Sequence, residues 1–183
     1  MKLGIDCIDV DLTYKGGVST YTFGLLDGFS KFKSETKHFV IFCTPENKTA
    51  FDKYENLINF TVIVVNGYKT SYRKFFLLIP FICNSLYMWR MCMSFYTFLF
   101  GTKRLIEDNC DIYYAPHCVL NFYDLKIPTI VSMHDIQQYH YPEFFGMAEL
   151  RMRRLTYENS AKSATYIQAV SYTHLTLPTN REV

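Results

Sequence analysis

Short runs of β-branched and aromatic residues recur along the chain, each followed by a stretch with helical spacing, and this alternation limits the fold more than any other feature. The runs are Leu3 to Ile8, Phe39 to Cys43, Phe60 to Val65, Ile112 to Tyr114, Thr129 to Met133 and Tyr166 to Val170. Between them the spacing predicts a helix from Ser19 to about Lys31, a short one near Ala50, a long helical region Ser71 to Glu107, and a helix from Ala148 to Lys162. Val62-Ile63-Val64-Val65 and Thr129-Ile130-Val131 are continuous β-branched runs, which suit strands buried on both faces. The expectation is a doubly wound α/β domain, a mainly parallel sheet with helices on both faces. A length of 183 residues, 49% of them hydrophobic, supports one such core and leaves no room for a second domain.

Several function classes drop out early. A net charge of +2, with no basic run interleaved with aromatics, gives no track for a phosphate backbone, so nucleic acid is not an expected partner. The six cysteines are scattered without a C-x-x-C pair and read as reduced core residues. Asp6, Asp9 and Asp11 interrupt the stretch where a secretory leader needs an apolar run, so cytoplasmic residence is expected. Phe75 to Phe100 is aromatic and aliphatic almost throughout. Its Phe, Leu and Ile residues favour membrane insertion by about 0.3 to 0.6 kcal/mol each, while a central Arg90 opposes it by about 3 kcal/mol. Pro80 and the Asn84-Ser85 pair interrupt it further, so two consecutive helices are expected, packed in the core and in part resting on a membrane surface at the inner face.

In a parallel α/β sheet, ligands bind beyond the carboxyl ends of the strands. Three loops fall there. Thr13-Tyr14-Lys15-Gly16-Gly17-Val18 follows the first strand, and its paired glycines open the backbone amides to an anionic or hydroxyl-rich group, or else serve only a tight turn. The pattern is neither G-x-G-x-x-G nor a Walker loop. Ala115-Pro116-His117 follows the fourth strand and His134-Asp135 the fifth, so two imidazoles and a carboxylate share a rim with the glycines. His117 can equally be a hydrogen-bonded structural histidine, and Asp135 a cap. His140 and Glu143 match metal ligands by type, but their spacing with His134 fits no zinc pattern, and no metal is expected. Arg151, Arg153 and Arg154 read as a solvated helix face or as contacts to an anionic acceptor or membrane. Cys118 beside His117 lacks the surroundings of a nucleophile.

Taken in order, Gly16-Gly17-Val18 with Tyr21, Asp111 to His117, Pro128 to Asp135, Tyr141-Pro142-Glu143-Phe144-Phe145, and an Arg-rich helix leading to Ala169-Val170-Ser171 resemble the N-terminal domain of family 4 retaining glycosyltransferases. The resemblance covers nearly all of residues 1–171. It implies one Rossmann-like half of a GT-B enzyme, which transfers a hexose from a nucleoside diphosphate sugar to a glycan or lipid-linked acceptor and needs no metal or other cofactor. It also implies that Gly16 and Gly17 line the cleft near donor phosphates and acceptor, that His134 contacts the transferred sugar, and that Asp135 orients that loop. His117 and Tyr21 fall on the acceptor side. The family's donor-binding domain, with its paired glutamates and basic residues, has no counterpart here, so the chain alone is expected to be inactive. Residues 172–183 fit neither a helix nor a strand and resemble read-through adapter sequence, and a non-native tail is expected there. A sugar-nucleotide epimerase of the same fold and a non-catalytic membrane-surface module stay open as alternatives.

Overall fold

The computed structural model describes residues 1–12, 16–32, 36–66 and 71–170. Six strands form one sheet: β1 (Lys2–Asp6), β2 (His38–Cys43), β3 (Phe60–Val64), β4 (Ile112–Ala115), β5 (Thr129–Met133) and β6 (Tyr166–Ala169). Their order is β3-β2-β1-β4-β5-β6, and every neighbouring pair is parallel. The intervening helices are α1 (Gly17–Ser30), α2 (Asp52–Glu55), α3 (Ser71–Phe76), α4 (Pro80–Cys83), α5 (Leu86–Leu99), α6 (Thr102–Asn109), α7 (Gln137–His140) and α8 (Met147–Ser163). This is the expected Rossmann-like α/β architecture.

The period-two geometry of β2 divides the apolar residues between two cores. Phe39, Ile41 and Cys43 pack with Leu26 of α1 and Tyr54 of α2, while Val40 and Phe42 pack with Trp89 and Met93 of α5, Ile106 of α6 and Leu155 of α8. Helices therefore cover both faces, which is why the strand sequences show continuous rather than alternating hydrophobicity. All six cysteines are free, and five of them are buried. β6 sits at the sheet edge and is exposed along its length.

Between residues 75 and 100 the structure differs from the two helices expected, holding the end of α3, all of α4, and α5. Ile79, before Pro80, adopts an extended conformation (φ −96°, ψ 106°), as the proline ring requires of its predecessor, and this separates α3 from α4. Ser85 caps α5 by accepting a hydrogen bond from the Met88 amide at 3.3 Å. Gly101, at φ +66°, turns the chain from α5 into α6 in the left-handed region open to glycine. The expectation of a non-native tail at 172–183 lies outside the described residues.

Gly4 sets how closely α6 approaches the sheet. A Cβ at this position would stand 2.6 Å from Cys110 Sγ and 2.8 Å from Phe42 Cε2, both closer than contact allows. Gly4→Ala should lower stability by about 1 to 3 kcal/mol through overpacking. Gly24→Ala, in α1 where a Cβ meets nothing within 4 Å, should raise it by about 0.5 to 1 kcal/mol. Thermal melts of the two variants should shift in opposite directions, and a shared sign would contradict this packing.

Candidate functional site

The strand order reverses between β1 and β4, so the connections leaving their carboxyl ends diverge and open a crevice there. Asp6 ends β1, Pro116-His117 follows β4, and His134 follows β5. Two polar groups meet at this rim, one on each face of the sheet.

On the α1 face, the Tyr21 ring packs edge-on against the His134 imidazole, with centroids 4.8 Å apart. The Tyr21 hydroxyl lies 3.0 Å from that of Tyr114, which donates to Gln168 Oε1 at 2.8 Å, and Ser132 Oγ donates to the same amide oxygen at 3.0 Å. Burial holds the Tyr114 phenol well above its ordinary pKa, so it remains a donor. α1 is thereby tied through Tyr21 to β4, β5 and β6.

His134 Nε2 lies 2.7 Å from the Pro116 carbonyl oxygen. A carbonyl only accepts, so Nε2 carries the proton, and in the neutral ring Nδ1 presents a lone pair. The His134 amide donates to Cys118 Sγ at 3.3 Å. Burial pushes the Cys118 thiol up, which suits it to this bond and not to attack as a thiolate. The hydrogen bonds that hold the His134 loop thus come from Pro116 and Cys118. The Asp135 carboxylate instead faces Arg153 at 3.9 Å, a long ion pair, and its Oδ1 has no hydrogen-bond partner.

Gly16 is the N-cap of α1 at φ −78° and ψ 166°, with no side-chain cap, and Gly17 is the first helical residue. That backbone is open to any residue, so left-handed geometry does not explain the glycines. A Cβ on Gly17 would meet nothing within 4 Å among the described residues. Tyr21, which packs against His134, lies one helical turn beyond Gly17 on α1. Thr13, Tyr14 and Lys15 lie outside the described residues.

On the opposite face, Asp6 is fully buried and accepts from the Ile8 amide at 3.1 Å and from Asn121 Nδ2 at 2.9 Å. His117 is only 7% exposed, its Nε2 stands 3.8 Å from Asp6 Oδ1, and neither ring nitrogen has a hydrogen-bond partner. Such an orphaned pair of ring nitrogens costs on the order of 1 to 3 kcal/mol per group. Asp9 accepts from Arg73 Nη1 at 3.2 Å. Burial pushes the Asp6 carboxyl up, against the pull of His117. Burial also pushes Asp9 up, but Arg73 and His117 outweigh it and hold its carboxyl below the ordinary value. Asn47 fixes this loop, donating to the carbonyls of Cys7 at 2.8 Å and Val10 at 3.0 Å and accepting from the Thr44 amide at 2.9 Å.

Its position after a strand marks His117 in the sequence, whereas Asp6 and Asp9 stand out there only as breaks in an apolar stretch. Their signal was charge placed at the end of a buried strand, where a carboxylate needs partners. His140 and Glu143 lie on exposed segments away from this cluster, and among the described residues no three His, Cys, Asp or Glu side chains gather as metal ligands. Arg153 stacks over Phe145 at 4.5 Å and pairs with Glu149 at 3.0 Å, while Arg154 pairs with Glu158 at 3.3 Å. Arg151 donates to Cys83 Sγ at 3.5 Å.

Because the folded-state pKa of Asp9 is depressed, its stabilisation is present above the unfolded value near 4 and disappears as pH falls through the lower folded value. Asp9→Asn should therefore cost about 2 kcal/mol at neutral pH, the scale of a partly buried charged hydrogen bond. Below about pH 4 the gap from the parent chain should close. Urea titrations across that range check both, and a pH-independent gap would contradict the assignment.

No family model matches the chain, and no curated protein or solved structure matches it, so a functional reading of this crevice stands on its geometry and on the sequence resemblance.

Proposed function

We propose that this chain is the acceptor-side half of a retaining GT-B hexosyltransferase, which uses a nucleoside diphosphate sugar and a glycan or lipid-linked acceptor. The observation that supports this reading is the contact between Tyr21 and His134, which packs α1 against the loop after β5. His134, with its Nε2 proton engaged by Pro116, can accept a hydrogen bond from a sugar hydroxyl through Nδ1. The uncapped amides at the start of α1 suit a phosphate oxygen or a hydroxyl, and among the described residues no atom lies within 4 Å of a Cβ on Gly17.

A helix N-terminus supplies about 0.3 to 1 kcal/mol toward an anion, and about 2 kcal/mol in a partly buried geometry. A departing nucleoside diphosphate needs far more, so the basic residues of a donor-binding domain must supply the rest. In this reading the chain contributes one wall of a cleft that excludes water from an oxocarbenium-like state and orients the acceptor. Among the described residues no helix is long and apolar enough to cross a membrane. Work at the cytoplasmic face, on a lipid-linked acceptor, fits that observation.

Two substitutions test the reading in the enzyme that joins this chain to its donor-binding domain. His134→Ala should lower turnover by about 10² to 10³, the scale of one positioned polar group at a charged transition state. Gly17→Ala should leave the melting temperature unchanged or slightly raised, since its Cβ meets nothing. The same change should lower kcat/KM by about 10 to 10², because the methyl occupies ligand space. Normal kinetics in both variants would remove the crevice from the mechanism.

A further inference from the structure

We infer that the outward face of α5 docks on an anionic phospholipid bilayer. This inference does not rest on the transferase reading. α5 is apolar on two sides: Trp89, Met93 and Tyr96 are buried in the core, whereas Tyr87, Phe95 and Phe98 are 71%, 61% and 70% exposed and Met91 is 46% exposed. These four line one groove of about 620 Å³ together with Arg90, Lys103 and Asp124. A second groove, of about 660 Å³, shares Tyr87 and adds Arg151 and Arg154. Neither groove includes Gly17, Tyr21, His117 or His134, so this face is separate from the crevice.

The charge on this face selects the occupant. Four cations stand around the aromatic stripe against Asp124, which Arg90 Nε already engages at 3.0 Å. Arg154 pairs with Glu158, leaving Lys103 and Arg151 without a carboxylate partner among the described ion pairs. α5 itself carries Arg90 and no Asp or Glu. Aromatic side chains ringed by long basic ones match the bilayer boundary, where rings enter the headgroup layer and cations meet lipid phosphate. A second copy fits poorly, because a two-fold contact through this face would set like charges opposite one another. α5 is also too short to span: its 14 residues rise about 21 Å against a hydrocarbon core of about 30 Å. The helix therefore lies on the surface with its axis near the membrane plane.

Vesicle flotation of the full chain tests this, comparing pure phosphatidylcholine with vesicles containing about a third phosphatidylglycerol. The chain should float with the anionic vesicles, release at high salt, and stay behind with the neutral ones. Phe95→Ser with Phe98→Ser should weaken flotation by about tenfold or more, and Arg151→Gln with Arg154→Gln should weaken it and flatten its salt dependence. Ile58→Ser, at a fully exposed apolar residue elsewhere, should change nothing. Melting curves confirm folding, and the charge variant keeps the test valid where the double serine variant fails to fold. The inference is overturned if the parent chain ignores anionic vesicles or if neither double variant weakens flotation. Self-association that Phe95→Ser abolishes would also overturn it, by assigning the face to a second copy. None of these readouts measures sugar transfer, so they leave the proposed activity to its own tests.

Discussion

The reversal of strand order between β1 and β4 is the constraint on which the rest of this structure depends. A right-handed crossover from β1 carries the chain toward β2 and β3, and the long connection through α3 to α6 returns it to β4 on the other side. The carboxyl ends of β1 and β4 are therefore left without a connection lying between them. Every polar group of interest hangs from that gap or from the neighbouring end of β5. Gly4 makes it possible for β1 to sit at the centre, since a side chain there would push α6 off the sheet.

The two faces handle polarity at the gap differently. Beneath α1, the hydroxyls of Tyr114 and Ser132 converge on the Gln168 amide oxygen, and the Tyr21 hydroxyl joins the network through Tyr114. A satisfied network of this kind gives a rigid floor, suited to holding His134 in a single orientation. On the other face, Asp6 and Asp9 are served by Asn121, Arg73 and a backbone amide, whereas neither nitrogen of His117 has a hydrogen-bond partner. The fold thus concentrates unfavourable desolvation at the carboxyl end of the sheet, where function commonly sustains it in α/β folds.

Much of the architecture was legible because strands packed on both faces announce themselves by composition, as Thr129 to Met133 does and as the half-buried edge run Val62 to Val64 does. The breaks at Pro80 and Ser85 were legible from local chemistry, while the separation of α3 from α4 needed the restriction that Pro80 places on Ile79. At the site, His134 and the glycines were visible through their positions after strands. Asp6, Asp9 and Asn47 were not, because their partners lie far away in sequence: Asn121 is 115 residues from Asp6, and Arg73 is 64 from Asp9. Nor does sequence spacing reveal that Cys118, set aside as a nucleophile, serves as the acceptor for the His134 amide.

The central claim is that Tyr21 and His134 meet at the crevice, with the imidazole proton on Nε2. Long-range nitrogen–proton NMR correlation on histidine-labelled chain measures this directly. The account predicts a protonated Nε2 and a bare Nδ1 for His134, and ring-proton shifts that move in Tyr21→Leu as the aromatic edge contact is lost. His38, near the opposite end of the sheet, should stay fixed. A proton on Nδ1, together with His134 resonances indifferent to Tyr21→Leu, would contradict the account.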